Sequence, residues 1–120
     1  MLNIYSISNR ITFGGNIVKI SDVIKKELKV FWGKEPNDDC IKLTPVIKTN
    51  NLSYEGTINY DLITYRNIDS SKINDNYLVE GDLLIEKSGG TKTHSVGYVN
   101  YFNGRNNFYV ANNFILPLRP

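Results

Sequence analysis

Cysteine is all but missing from this sequence. Cys40 stands alone, so an intrachain disulfide and a cysteine-built metal site are both excluded, and a reducing, cytoplasmic setting is the expectation. Histidine is as scarce: His94 is the single one, with no cysteine, histidine or aspartate beside it at ligand spacing. No apolar run approaches the ~20 residues of a membrane span. The opening MLNIYSISNR lacks the basic-then-apolar order of a secretory leader, so a soluble intracellular protein is expected, with no membrane partner. An excess of one charge is missing too. Lys and Arg number 14 against 12 Asp and Glu, and a net charge of +2 does not announce a polyanionic partner. Any such claim rests on where the cations lie.

What is present is ordinary folding material. With 120 residues, 41% hydrophobic and 22% charged, the chain is expected to form one domain, 1–120, around a single core. FGGN (13–16) is a turn signal. In the following IVKISDVIKKELKVFWG, Ile20, Ile24, Leu28 and Phe31 or Trp32 recur at helical spacing, Ser21 suits an N-cap and Gly33 a stop. A short helix over about 21–29 is predicted, with Lys25, Lys26 and Lys29 on its solvated face. In CIKLTPVIKT (40–49) the proline confines any strand to an edge or an irregular stretch. INYDLITYRNI (58–68) predicts a strand over 61–66. YLVEGDLLIEK (77–87) predicts a turn at Glu80-Gly81-Asp82 and a buried strand over 83–87.

SVGYVNYF and RNNFYVAN flank Asn103-Gly104, a strong hairpin signal because both turn positions need positive φ. Such a turn would pair Phe102 with Arg105, and face Val99 with Phe108 and Tyr98 with Tyr109. FILPL (114–118) predicts a last strand, weakened by Pro117. The expected fold class is α+β, mainly β, with a mixed or antiparallel sheet and one short N-terminal helix.

Catalytic chemistry finds little support. A Ser88–His94 nucleophile pair has nothing local to orient the imidazole, and the acidic pairs Asp38-Asp39 and Glu80/Asp82 sit at turn signals. SGG does not have the spacing of a nucleoside-triphosphate loop, and it leads into a strand rather than a helix. What remains is a binding surface. Lys87, Ser88, Thr91, Lys92, Thr93, His94 and Ser95 concentrate donors, and Gly89-Gly90 lets backbone N–H groups approach a ligand closely. Phosphate oxygens attract that set. Arg66 and Asn67 close another predicted strand, and Arg and Asn match the guanine and adenine edges of the DNA major groove. Tyr54, Tyr60, Tyr65, Tyr98, Phe102 and Tyr109 are candidates for a groove lining or for the core. The residues by themselves leave nucleic acid, carbohydrate and peptide open as ligands.

One family resembles this pattern. YLVEGDLLIEKSGG followed by VGYV looks like the target-recognition domain of type I restriction-modification specificity (S) subunits, where a Gly-Asp-Ile/Leu-Leu strand runs into a Ser-Gly loop and a second glycine-containing strand. IVKISDV resembles that family's apolar opening with its Leu-x-Asp-Val, and GKEP its Gly-x-Thr-Pro. LITYRNID resembles its strand with a basic residue and x-x-Asp-Ile. YVANNFILPLRP resembles its Ala-x-Asn-x-x-x-x-Leu-x-Pro tail. The matches run through residues 17–120 in order, and 37–60 matches nothing in particular.

The resemblance implies a non-catalytic subunit that needs no cofactor of its own and reads double-stranded DNA. Its partners would be a methylation (M) subunit using S-adenosylmethionine and an ATP-driven restriction (R) subunit. Family members carry two such domains separated by long helices. This sequence holds one domain and no spacer helix, so it is expected to be a fragment of such a subunit. The segment after the 83–87 strand is then expected to lie along the DNA backbone, with Lys87 and Lys92 on phosphates and Gly89 and Gly90 allowing close approach. Ser88, Thr93 and His94 belong to the same contact, and Arg66 and Asn67, together with side chains from 37–60, are the candidates for base edges.

Overall fold

A computed structural model describes residues 10–13, 16–37, 43–87 and 99–120. Strand β1 (Arg10–Phe13) pairs antiparallel with β2 (Asn16–Lys19), on either side of the predicted FGGN turn. The rest is two sheets facing one another. Helix α1 (Ile20–Val23) is a single turn, after which β3 (Lys26–Glu27) begins. β4 is Thr44–Ile47, β5 Thr64–Arg66, β6 Leu83–Glu86, β7 Val99–Tyr101, β8 Val110–Ala111 and β9 Ile115–Arg119. Between β5 and β6 lies a second one-turn helix, α2 (Ser70–Ile73), capped by the Asp69 carboxylate on Ser71 N–H. One sheet runs β3-β9-β6-β7, all antiparallel; the other runs β5-β4-β8, with β4 and β8 parallel. The mainly β, α+β class is what the structure shows.

Strand alternation assigns the core. Leu84 and Ile115 from one sheet meet Ile47 and Ala111 from the other across a central layer that also holds Leu28, Ile58, Leu78 and Phe102. The alternate residues point outward and are covered in turn. Leu83, Ile85, Leu116 and Leu118 pack under Ile24, and Val46 and Val110 under Ile68 and Ile73. With both faces of each sheet covered, the central strands read as continuous apolar runs rather than alternating ones.

Three expectations are corrected. The helix over 21–29 is only Ile20–Val23, and Lys26 and Glu27 instead pair with Arg119 and Leu118. The predicted solvated lysine Lys26 is tied down, its Nζ lying 3.0 Å from the Asp75 carboxylate. Asn103-Gly104 makes no hairpin. β7 pairs back onto β6 and the 81–82 turn, through Phe102 N–H to Asp82 O (2.8 Å), while β8 joins the other sheet beside β4. Gly104 is not among the positive-φ residues. It serves close approach instead, since a Cβ there would sit 2.9 Å from Phe102 Cζ and from the Tyr60 hydroxyl.

Third, Pro45 lies in the central strand β4 and not at an edge. The reason is local. Ile47 turns its carbonyl to the β8 side, accepting from Asn112 N–H at 3.0 Å, so Pro45 faces that side as well. β8 pairing begins only at Val46, and no ladder donor is missed. Pro117 in β9 repeats the device. Its carbonyl accepts from Leu28 N–H at 2.9 Å, so its ring nitrogen also faces the short β3, and β6 pairs with β9 along its full length.

The predicted turn at Glu80-Gly81-Asp82 is present, with Gly81 at φ +101°. Asp82 also anchors the sheet. Its carboxylate is buried and accepts from Arg119 Nε (2.9 Å) and Nη2 (3.0 Å) and from Val79 N–H (2.8 Å). Of the aromatic candidates, Tyr60, Phe102 and Tyr109 form one core cluster with ring centroids 5.4–6.4 Å apart, and burial raises the Tyr60 and Tyr109 hydroxyl pKa values above the ordinary tyrosine value. Tyr54 and Tyr65 are exposed, and Tyr98 lies outside the described residues.

Candidate nucleic-acid interface

Because β4 and β8 are parallel, the chain leaves both from the same end of their sheet, and two tight turns form there side by side. After β4, Asn51 is buried and its side chain staples the turn. Its Oδ1 accepts from Lys48 N–H (2.8 Å), and its Nδ2 donates to Asn59 O (3.1 Å) and Leu62 O (3.2 Å). Lys48, Thr49 and Asn50 are thereby fixed in place. After β8, Asn112 is buried with its Oδ1 accepting from Phe114 N–H (3.0 Å), while Ile115 N–H donates to the Asn112 carbonyl (3.1 Å). That turn presents Asn113 and Phe114 outward. Asparagine side chains replace a backbone partner at each turn, a role that their short amide suits.

A third element completes the surface. Phe31 N–H donates to Ala111 O (2.9 Å), and Lys34 and Asn67 exchange both backbone bonds (3.1 and 2.9 Å). Gly33, at φ +70°, makes the turn between them. A Cβ there would lie 2.5 Å from Asn67 O, so only glycine lets the 32–34 backbone approach β5 this closely. Trp32 is thus held beside Arg66, whose guanidinium carbon sits 4.2 Å from the ring centroid. Arg66 Nε donates to Trp32 O (3.0 Å) and Nη2 to Gly33 O (3.3 Å).

Between these elements opens a groove of about 610 Å³, lined by Trp32, Lys48, Thr49, Asn50, Asn112, Asn113 and Phe114. No carboxylate is among its described lining residues. Trp32 is 39% and Phe114 48% exposed, large values for apolar rings. Lys87 N–H donates to Phe114 O at 3.0 Å, so β6 ends at the groove's rim. A smaller groove of about 370 Å³ opens at the opposite end of β4, among Leu43, Pro45, Ile68, Tyr77 and Phe108, with no charged side chain among its described lining residues.

The residues singled out in sequence divide accordingly. Lys87 meets the groove's rim through its backbone bond to Phe114, whereas Arg66, paired with Thr44 at the other end of β4, reaches it only through its stack on Trp32. Arg66 is also structural, since two of its nitrogens clamp the 32–33 backbone. Asn67 sits behind it, its backbone spent on Lys34. Ser88, Gly89, Gly90, Lys92, Thr93 and His94 lie outside the described residues. Lys48 and Asn50 fall in the 37–60 stretch expected to contribute base-reading side chains, although neither was singled out, whereas sequence reasoning missed Trp32 and Phe114 as site residues. Asn113 carried a signal as the asparagine of the Ala-x-Asn pattern in the 111–120 tail.

Among the described residues no group of His, Cys, Asp and Glu is placed to hold a metal ion, and no helix is long and apolar enough to cross a membrane. Comparison with protein-family models finds none that matches the chain, and comparison with curated proteins finds no match either.

Proposed function

We propose that this chain is a cytoplasmic, non-catalytic DNA target-recognition domain of the kind carried by type I restriction-modification specificity subunits. In that setting it would direct methylation and restriction partner subunits to their site. One observation carries the reading: a groove with no carboxylate among its described lining residues holds Lys48 and exposed amides, lies beside the Arg66–Trp32 stack, and has the Lys87 end of β6 at its rim. Cations along one concave face supply the phosphate contacts that position a protein on DNA, and amides beside them supply groups that read bases.

Salt tests this directly. With few phosphate contacts, affinity for duplex DNA should fall in the ~10⁻⁴–10⁻⁶ M range of non-specific complexes and drop steeply as salt rises. Replacing Lys48 and Lys87 by alanine should lower the slope of log K against log salt by about 2, roughly 0.9 for each phosphate no longer neutralised. The Lys87/Lys92 pair should weaken binding to all duplexes alike. An unchanged slope in both variants would remove the groove and its rim from the interface. Binding indifferent to salt would point instead to a carbohydrate- or peptide-binding module.

A further inference from the structure

We infer that the groove is a subsite for an unpaired nucleobase, so that the domain favours DNA in which a base lies outside its stack. The inference rests on the DNA-binding reading above and sharpens it. Base edges in an intact duplex are read by elements that protrude into the major groove. This surface does the opposite: it is concave, and its about 610 Å³ falls within the roughly 300–1,000 Å³ of sites that enclose small ligands. Its walls combine the three groups that a single nucleotide requires. Trp32 and Phe114 offer aromatic surface for stacking, which tolerates any base because every base has a π face.

Asn50 and Asn113, both exposed, each offer an amide donor and acceptor to a Watson–Crick edge. Lys48 offers a cation to the phosphate, with no carboxylate among the described lining residues to oppose it. The walls are held before any ligand arrives. Trp32 is fixed by the Arg66 clamp, the 48–51 turn by Asn51 and the 112–115 turn by Asn112. Little ordering remains to be done on binding. The smaller groove at the other end of β4 has no charged side chain among its described lining residues to meet a phosphate.

Trp32 is the only tryptophan beside eight tyrosines, so emission excited selectively at tryptophan reports on this groove. Three probes are titrated: a fully paired duplex, the same duplex with one extra unpaired adenine, and a deoxyadenosine single strand. The bulged duplex should bind at least about fivefold tighter than the paired one, the gain from one stacked base, and should quench Trp32. An equal gain with the single strand extends the subsite to any unpaired base; a gain with the bulge alone restricts it to a base extruded from a duplex. Phe114→Ala and Asn113→Ala, both at exposed positions outside the core clusters, should each reduce the preference while leaving circular dichroism unchanged. Equal affinity for paired and bulged duplexes with unquenched Trp32 overturns the inference but leaves the DNA-binding reading standing, as does a preference that survives both substitutions. Absence of salt-dependent binding to any of the three probes overturns both.

Discussion

Breaking the Asp82–Arg119 pair from its two sides should have unequal consequences. The Asp82 carboxylate is 1% exposed, whereas the Arg119 side chain is 27% exposed. In Arg119→Met the carboxylate stays buried with Val79 N–H as its remaining donor among the described residues, and the Tyr77 carbonyl loses the Nη2 bond at 3.0 Å. An uncompensated buried charge costs about 3–5 kcal/mol, and this one should lie at the upper end. In Asp82→Ala the guanidinium can swing toward water. What is lost is the charge-assisted pair, ~1.5–3 kcal/mol, and the acceptor for Val79 N–H, ~1 kcal/mol, so about 3 kcal/mol is expected. The double variant removes both charges and should cost less than the sum of the singles by at least about 2 kcal/mol. Urea unfolding followed by Trp32 emission gives all three differences, provided that the denaturant slope is common to the set. The reasoning is refuted if Asp82→Ala costs as much as Arg119→Met, or if the two effects add.

Gly33→Ala meets Asn67 O at 2.5 Å with φ at +70°; it should destabilise by about 2 kcal/mol or more and weaken DNA binding by releasing Trp32, measurable as a Tm shift alongside a titration. Asn51→Ala deletes the acceptor for Lys48 N–H and the donor for two carbonyls, so a loss of about 2–3 kcal/mol and a less ordered groove are expected, read from unfolding and from hydrogen exchange at 48–52. Acid should weaken the fold partly through Asp75, whose carboxyl is held below the ordinary carboxylate range first by its hydrogen bond to Lys26 and then by that ammonium's charge. A depressed folded pKa means that this contribution is complete above the unfolded value of ~3.9 and is lost as pH falls through the lower folded value. Lys26→Met should therefore flatten the decline of Tm below about pH 4, and an identical decline in both proteins would discard the pair as its source.

The parts of the fold legible in sequence are those in which local chemistry and packing agree. The 83–86 strand is an apolar run because both of its faces are covered, and Glu80-Gly81-Asp82 turns where Gly81 supplies the positive φ. The stretch 20–31 shows the opposite case. Ile24, Leu28 and Phe31 have helical spacing, yet each packs in a different cluster: Ile24 outside the four-stranded sheet, Leu28 in the central layer, Phe31 outside the three-stranded one. The spacing records a chain crossing between layers, which no single-segment pattern distinguishes from one helix face. Asn103-Gly104 failed for a related reason, since its glycine answers to the Phe102 and Tyr60 rings rather than to a turn. At the interface, Arg66 and Lys87 were visible as cations at strand ends. Trp32, Lys48, Asn50 and Phe114 converge only through the parallel pairing of β4 with β8, which joins segments more than sixty residues apart.

β9 lies between β3 and β6, and without it those two strands have no shared neighbour. Of the described strands it is also the last to be synthesised. During translation the 26–27 and 83–86 strands therefore have no link within this sheet until residues 115–119 are made and can pair with both. The larger sheet thus completes late, and up to that moment the apolar β6 keeps one edge unpaired.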